Sequence, residues 1–394
     1  MKNAYFSGMY KRQFTGSGDK SFFIFGPRGT GKTTWLNHNY PDAIMIDLLS
    51  SELYRRLIAR PEMLTQYIPD NYTGWVIIDE IQKIPDLLNE VHKLIENDGL
   101  KFILTGSSAR SLRRKGVNLL AGRALNYYMY PLTSFELGAD FSIEFCMQYG
   151  TMPSVFIDED PKKYLETYIV TYVDQEVKQE GLTRRIDMFQ RFLEAASFSQ
   201  GALLNTSSVA RDCGVNRKLA EDYFTIVEDL LLGIRIPVFE RRARRRMRRH
   251  PKFYFFDAGV YRTLRPSGPL DSPEEISGVA LETLVMQEIR AVNDYSALGY
   301  QMYFWRTHDD KEVDFILYGN RGILAIETKY SRKVNKRALS GLRAFQKDYP
   351  ESKCYLVYGG NERLYIDGIV ILPIEVFFRD VEDILSGSAS ETTM

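Results

Sequence analysis

The sequence predicts an α/β protein whose N-terminal part is built on a parallel β-sheet. Short apolar runs alternate with helical patterns from about residue 21 to residue 104. Four runs are predicted strands, at residues 22–25, 43–47, 75–79 and 101–104. They are continuously apolar rather than alternating, and helices separate them, which is typical of a parallel sheet covered on both faces.

Length and charge set limits on the class of protein. A chain of 394 residues is too long for one ordinary hydrophobic core, so two or three domains are expected. With 51 basic and 51 acidic side chains, the chain is not uniformly cationic, although a local basic patch remains compatible with this balance. Neither a signal peptide nor an apolar stretch of ~20 residues is recognisable, so we expect a cytoplasmic protein without a membrane partner.

The three cysteines, Cys146, Cys213 and Cys354, are far apart and form no CxxC pair. This spacing argues against a zinc site or a disulfide framework. We expect small buried thiols in a reducing cytosol.

A phosphate-binding motif follows the first predicted strand. Residues 26–33 match the pattern G-x-x-x-x-G-K-[ST], with a strand before the motif and a helix after it. The glycines let backbone N–H groups wrap around a phosphate, Lys32 adds charge at the outer phosphates, and Thr33 is placed for Mg²⁺. The predicted nucleotide-binding residues are Gly26, Pro27, Arg28, Gly29, Thr30, Gly31, Lys32, Thr33 and Thr34.

Acidic and polar residues follow the third and fourth strands. Asp79 is expected beside the metal ion with Thr33, while Glu80 would orient or deprotonate the attacking water. Thr105 or Ser107 could sense the γ-phosphate or simply cap a helix. The sequence contains no guanine-reading motif of the NKxD type, so ATP is the expected nucleotide.

Arg123 has two interpretations of equal weight. It could approach the γ-phosphate of a neighbouring copy as an arginine finger, which requires a homo-oligomer. It could equally be an ordinary surface charge.

The middle of the chain is helical and carries a dense basic run. Residues 207–232 predict two helices separated by a turn at 213–216, an arrangement that DNA-binding helix-turn-helix motifs share with many helical hairpins. Phosphate is the natural counter-charge for clustered guanidinium groups, so backbone contact with duplex DNA is the favoured interpretation, with a solvated hairpin or an acidic protein partner as the alternative. The run comprises Arg241, Arg242, Arg244, Arg245, Arg246, Arg248 and Arg249.

A second α/β pattern occupies the C-terminal part. Asp314 lies inside a predicted strand at 313–318, and Glu327 and Lys329 close the strand that begins at residue 323. Charges inside apolar strands are costly to bury without partners. An Asp on one strand with Glu-x-Lys on the next could hold Mg²⁺ or Mn²⁺ for phosphodiester hydrolysis. The alternative is a set of solvated strand-end charges with an internal ion pair.

Together these motifs resemble one family, the bacterial and archaeal AAA+-superfamily ATPases with an N-terminal AAA-type domain of class 14 and a C-terminal DUF4143 domain. The resemblance covers nearly the whole chain, although residues 172–177 lack the Arg-Asp pair common in that family. Its marks are residues 26–28, 78–82, 104–108, 121–123, 131–136, 252–259, 306–307, 312–315 and 326–329, with Gly278, Glu282 and Glu288.

The resemblance implies three parts. These are a P-loop ATPase core at residues 1–135, a helical and winged-helix part at 136–250 and a restriction-endonuclease-like domain at 251–385. The polar composition of residues 386–394 separately predicts a disordered tail. Asp314, Glu327 and Lys329 match the PD-(D/E)xK nuclease motif. Glu282 matches its helical acidic position and is a further implied metal ligand.

Three functional hypotheses follow. In the leading one, ATP binding and hydrolysis switch a DNA-engaging, metal-dependent nuclease domain. In the second, the C-terminal domain is non-catalytic and the protein is an ATP-gated DNA-binding or signalling switch. In the third, the arginine run docks a protein and no nucleic acid is involved.

Overall fold

A computed structural model of the chain describes residues 9–107, 120–179, 186–240, 250–269 and 271–388. The chain divides into two compact units. The first comprises Met1–Tyr130 and Asp229–Leu232, and the second comprises Pro131–Glu228 and Gly233–Met394. Most residues of the predicted middle and C-terminal parts therefore belong to one unit. Ser108, the seven arginines between residues 241 and 249, and the end of the predicted tail at 389–394 lie outside the described residues.

The first unit contains a five-stranded sheet in which every neighbouring pair is parallel. The parallel sheet predicted from the sequence is therefore confirmed, and it is consistent with a P-loop NTPase fold. The strand order is β2-β3-β4-β1-β5. The strands are β1 (Ser21–Phe25), β2 (Ile44–Asp47), β3 (Trp75–Asp79), β4 (Lys101–Gly106) and β5 (Ala124–Tyr128).

Among the described residues, three helices lie between these strands, and the four predicted strands begin and end within two residues of their predicted bounds. The helices are α1 (Lys32–Asn39), α2 (Ser51–Ala59) and α3 (Leu87–Asp98), with short 3-10 turns at Pro61–Tyr67, Ile81–Lys83 and Leu120–Gly122. Strand β5 was not predicted. It lies at the sheet edge and exposes two of its five residues, so its sequence lacks the continuous apolar character of the inner strands.

The second unit begins with helices. They are α4 (Ser134–Leu137), α5 (Ile143–Tyr149), α6 (Pro161–Gln179), α7 (Ile186–Ser197), α8 (Thr206–Asp212) and α9 (Arg217–Asp229), with 3-10 turns at Gly138–Asp140 and Pro153–Phe156. An antiparallel pair follows, formed by β6 (Gly233–Ile236) and β7 (Lys252–Phe255). Two further helices, α10 (Ala258–Leu264) and α11 (Pro273–Tyr295), precede the large sheet.

Helices α8 and α9 form the predicted pair around a tight turn. The Asn216 side chain accepts a hydrogen bond from the Leu219 N–H at 2.8 Å, which caps the start of α9. Aromatic rings join these helices to the strand pair, because Phe224 packs 4.7 Å from Phe192 of α7 and 5.0 Å from Phe253 of β7. The arginine run connects β6 to β7 in the sequence.

A mixed six-stranded sheet completes the second unit, in the order β12-β13-β11-β10-β9-β8. Strands β8 to β10 are antiparallel, whereas β10, β11 and β13 are parallel. The elements are β8 (Gln301–Arg306), β9 (Glu312–Gly319), β10 (Gly322–Lys329), α12 (Ser340–Asp348), β11 (Lys353–Tyr358), β12 (Leu364–Ile366), β13 (Ile369–Pro373) and α13 (Ile374–Ser386). Strands β12 and β13 and helix α13 were not predicted.

The three cysteines are buried free thiols, as predicted. Within the described ranges, no helix combines the length and the apolar character needed to cross a bilayer.

Helix α10 approaches α5 so closely that only glycine fits at one position. A Cβ atom on Gly259 would lie 2.1 Å from the carbonyl oxygen of Tyr149, whereas a Cβ on Gly278 in α11 would meet no atom within 4 Å. We expect Gly259→Ala to lower the free energy of unfolding by about 1–3 kcal/mol. Gly278→Ala should be neutral or stabilising by up to ~1 kcal/mol. Urea unfolding of both variants tests this, and equal stabilities would contradict it.

Candidate functional site

The loop between β1 and α1 surrounds the N-terminal end of α1. Gly29 and Gly31 have φ angles of 83° and 89°, in the left-handed region that glycine adopts without strain. The Lys32 ammonium donates to the carbonyl oxygens of Gly26 at 2.7 Å and Pro27 at 3.1 Å, and Lys32 is 6% exposed. A helix N-terminus with an ammonium beside it provides the donors and the positive charge that bind phosphate.

The remaining loop residues differ in their surroundings. Thr30 is buried and its hydroxyl donates to the Pro27 carbonyl oxygen at 2.9 Å, whereas Arg28 and Thr34 are exposed. Arg12 was not predicted from the sequence. Its guanidinium donates to the carbonyl oxygens of Thr30 at 2.8 Å and Tyr130 at 2.6 Å, and so ties the loop to the end of the first unit. No local motif around Arg12 signals this role.

Asp79 ends β3 and meets two hydroxyl groups. The Thr33 hydroxyl donates to Asp79 Oδ2 at 2.9 Å, and the Thr105 hydroxyl donates to Oδ1. Strand β4 lies between β1 and β3, and all three strands are parallel, so their carboxyl ends lie at the same edge of the sheet. Thr33, Asp79 and Thr105 follow or end these strands and therefore meet at that edge. A hydroxyl and a carboxylate are oxygen donors of the kind that Mg²⁺ prefers, so Thr33 and Asp79 fit this ion.

Glu80 adopts a strained backbone conformation beside this group. Its φ of 60° lies in the left-handed region, which costs a non-glycine residue about 1–3 kcal/mol. The Gln82 amide donates to the Glu80 carboxylate and to Ser107 Oγ, the latter at 3.0 Å. The Glu80 N–H donates to Thr105 Oγ1 at 3.1 Å. Gln82 was not predicted, although it lies in the motif at residues 78–82.

Arg123 forms an ion pair with Glu96 of the same chain, and both side chains are partly exposed. This contact agrees with the surface-charge interpretation. Contact between Arg123 and a neighbouring copy remains a prediction.

A second charged cluster surrounds Lys252 in the second unit. Lys252 is 1% exposed, and its ammonium lies 2.6 Å from Glu312 Oε1, 3.0 Å from Glu282 Oε1 and 3.1 Å from Asp314 Oδ1. The Tyr254 hydroxyl also donates to Glu282. Burial opposes the charge on Lys252, but the surrounding carboxylates outweigh it and raise the pKa of Lys252 well above its ordinary value.

The structure places Asp314, Glu327 and Lys329 together next to Lys252. The Asp314 N–H donates to Glu327 Oε2 at 3.2 Å, and the Lys329 ammonium lies 2.6 Å from Glu327 Oε1. Asp314 Oδ2 accepts hydrogen bonds from the Thr328 N–H at 2.9 Å and the Thr328 hydroxyl at 3.0 Å. Burial and repulsion from Asp314 raise the pKa of Glu327 to about 8, against the attraction of Lys329.

These carboxylates do not fit a divalent cation in this arrangement. Oxygens of Glu282 and Asp314 face the Lys252 ammonium, and Glu327 Oε1 faces Lys329. A divalent cation placed among them would be repelled by the lysine that already occupies the space. In the part of the chain that the structure describes, no group of three or more His, Cys, Asp or Glu side chains is arranged to hold a metal ion. No chemical step is therefore assigned to a metal here.

Lys252 and Tyr254 lie in the segment 252–259 that carries the family resemblance, but the sequence predicts no role for either. A signal is present, because Lys252 is the only charged residue of the otherwise aromatic strand β7. The sequence did not reveal which acids would surround it.

A further buried carboxylate joins helix α11 to the start of α4. Glu288 accepts two hydrogen bonds from the Ser134 N–H, at 3.0 and 3.1 Å, and its Oε1 lies 2.6 Å from Ser134 Oγ. Burial raises the pKa of Glu288 to about 7. Ser134 Oγ also lies 2.8 Å from the Phe378 carbonyl oxygen. Since a hydroxyl has one proton, a neutral Glu288 that donates to Ser134 lets Ser134 donate to Phe378.

Comparison with protein families assigns parts of the chain. Residues 18–138 match an AAA domain, residues 141–271 match a domain of unknown function (DUF8612), and residues 277–377 match another domain of unknown function (DUF4143). The N-terminal AAA domain and the C-terminal DUF4143 domain agree with the resemblance seen in the sequence. The AAA domain contains the P-loop and supports ATP binding there.

Two relatives match about three quarters of this chain, and both are described as uncharacterized proteins. An uncharacterized protein of Mycobacterium tuberculosis is 24% identical over 310 residues, which cover 77% of this chain and 69% of that protein. An uncharacterized protein of Haemophilus influenzae is 20% identical over 317 residues, 76% of each chain. The Aeropyrum pernix ORC1 protein in complex with DNA is 14% identical over 63% of this chain and 87% of that one. Its TM-score against this chain is 0.23.

The buried Glu288 predicts that stability falls as pH rises. In the unfolded chain the carboxyl ionises near its ordinary pKa of 4.5, but in the folded protein only near 7. Between these values the folded protein binds more protons, so the contribution is full below about pH 4.5 and is lost by roughly 3 kcal/mol as pH passes 7. Glu288→Gln should remove this contribution, while Glu282 and Glu327, whose pKa values are also raised, keep theirs.

Urea unfolding at a series of pH values measures the effect. Glu275→Gln, an exposed site on the same helix, is the control and should keep the wild-type dependence. An unchanged pH dependence in Glu288→Gln would show that Glu288 is ionised in the folded protein.

Proposed function

We propose that the first unit binds and hydrolyses ATP, and that the nucleotide state switches a DNA-engaging second unit. The observation that carries the proposal is the meeting of Lys32, Thr33 and Asp79 at one edge of the parallel sheet, with Thr33 and Asp79 bonded at 2.9 Å. The AAA domain match over residues 18–138 supports it.

Each residue at this edge has a distinct proposed role. Lys32 offsets negative charge on the outer phosphates, and Thr33 and Asp79 hold Mg²⁺, which when bound shields the phosphate oxygens. Glu80 removes the proton from the attacking water. Thr105 accepts from the Glu80 N–H and donates to the Asp79 carboxylate, so it fixes the two acidic residues relative to each other.

The DNA part of the proposal is supported by topology and charge. Helices α8 and α9 form a helix-turn-helix, and the antiparallel strands β6 and β7 follow. The connection between these strands contains seven arginines, in the place where a winged helix has its wing. Clustered arginines that follow two such helices in the sequence are suited to contact with the phosphate backbone of duplex DNA.

The C-terminal carboxylates bear on two hypotheses. Metal-dependent cleavage is supported by the proximity of Asp314, Glu327 and Lys329. The position of Lys252 among the carboxylates favours the second hypothesis, in which this domain is non-catalytic. We therefore propose that ATP controls DNA binding rather than DNA cleavage.

Replacement of Lys32 in the P-loop and of Glu80 after β3 tests the proposed ATPase activity. Lys32→Ala should lower kcat/KM for ATP by about 100-fold or more, because it removes a charge aimed at the transferred phosphate. Glu80→Gln should keep ATP binding but slow turnover by about 100-fold or more, because it removes the general base. Phosphate release and nucleotide binding are measured, with the exposed Lys93→Ala as the control. Full turnover in Lys32→Ala would refute the assignment of this site.

Salt titrations test DNA binding by the arginine run. Substitution of Arg244, Arg245 and Arg246 by Gln should reduce the slope of log K against log salt by about 2 to 3, since each lost phosphate contact contributes about 0.9. Arg56→Gln, which removes an exposed arginine of the first unit, is the control. An unchanged slope in the triple variant would favour the hypothesis in which the arginines dock a protein.

A further inference from the structure

Lys252 occupies the centre of the carboxylate cluster in the second unit. We propose that its ammonium permanently takes the place of a divalent cation beside Asp314, so that this site keeps its structure without a metal and does not hydrolyse phosphodiesters. The inference does not depend on ATP hydrolysis, because every residue of the cluster belongs to the second unit.

The carboxylates reach Lys252 from two separate elements. Glu312 and Asp314 lie two residues apart on β9 and therefore point to the same face of the sheet. Glu282 comes from α11. All three oxygens lie between 2.6 and 3.1 Å from the Lys252 ammonium, which is the range of charged hydrogen bonds.

The backbone and side chain of Lys252 are both held in place. Its backbone pairs with Ile236 of β6 and bridges to Leu203, so two chain segments hold it. Its ammonium lies 5.9 Å from the centre of the Phe304 ring. A cation could enter only if the 1% exposed Lys252 left the three carboxylates and the space it fills, and the displaced ammonium would then lack its partners.

The carboxylates of the cluster contact three cationic side chains. Lys252, Lys329 and Arg306 bring three positive charges to Glu282, Glu312, Asp314 and Glu327, and Arg306 is shared with Asp310. Lys329 differs from Lys252 because its side chain is 43% exposed and contacts the cluster from the solvent side.

Removal of the ammonium should turn the cluster into a cation site. Lys252→Met keeps most of the side-chain volume but leaves three carboxylates facing one another. We expect the Tm to fall by roughly 5–10 °C and millimolar Mn²⁺ to restore most of the loss. The added Asp314→Asn substitution should abolish the rescue, and Lys93→Met, at an exposed ion pair of the first unit, should show neither effect.

The wild-type protein provides the decisive comparison. Electron paramagnetic resonance measures how much Mn²⁺ stays free in solution when no nucleotide is present. Wild type and Asp314→Asn should leave the same amount of Mn²⁺ free, because neither binds the ion at Asp314. Linear DNA incubated with Mn²⁺, with and without ATP, should be cut no faster by wild type than by Asp314→Ala. These two measurements remain valid even if Lys252→Met does not fold.

Two results would overturn the inference. One is Mn²⁺ bound by wild type and lost in Asp314→Asn, and the other is DNA cleavage by wild type that Asp314→Ala abolishes. ATP turnover, measured on the same samples, reports on the P-loop alone. A failure of the ATPase proposal is therefore distinguishable from a failure of this one.

Discussion

The cost of burying charge is the constraint on which both charged clusters depend. A charge removed from water is stable only where protein groups replace its hydration. Asp79 is 4% exposed and Lys252 is 1% exposed, so each needs partners inside the protein. Asp79 meets the hydroxyls of Thr33 and Thr105, and Lys252 meets three carboxylates. These partners come from distant parts of the chain, so the compensation of each buried charge depends on the complete fold.

The chemical type of the partners distinguishes the two clusters. Hydroxyl groups are neutral, so the negative charge of Asp79 remains to attract a cation. The partners of Lys252 are ionic and compensate its charge directly. These two hydroxyl contacts therefore leave the charge of the Asp79 carboxylate uncompensated, whereas the carboxylates around Lys252 already contact an ammonium. Acidic residues alone do not define a metal site, because a neighbouring lysine can take the same position.

Local sequence patterns predicted structure well where the residues that form an element or a loop lie close together in the chain. The P-loop, the strand before it and the helix after it lie within about 20 consecutive residues, and backbone geometry in such a segment depends mainly on local residue types. The same holds for the apolar strands that form the parallel sheet. The edge strands β5 and β12 carry weaker patterns, because they are short or partly exposed and packing, not local preference, defines them. Strand β13 was not predicted although it is a continuous apolar run that is mostly buried.

The sequence by itself determined the parallel sheet, the phosphate loop and the acidic pair Asp79 and Glu80, since each depends on periodicity or on spacing over a few residues. Only the tertiary structure decided which residues surround each charge. Lys252 and Asp314 are 62 positions apart, and Arg12 and Tyr130 are 118 apart. No local pattern encodes such distances. The pairing results from the packing of whole strands and helices, which brings together side chains that a linear pattern leaves unrelated.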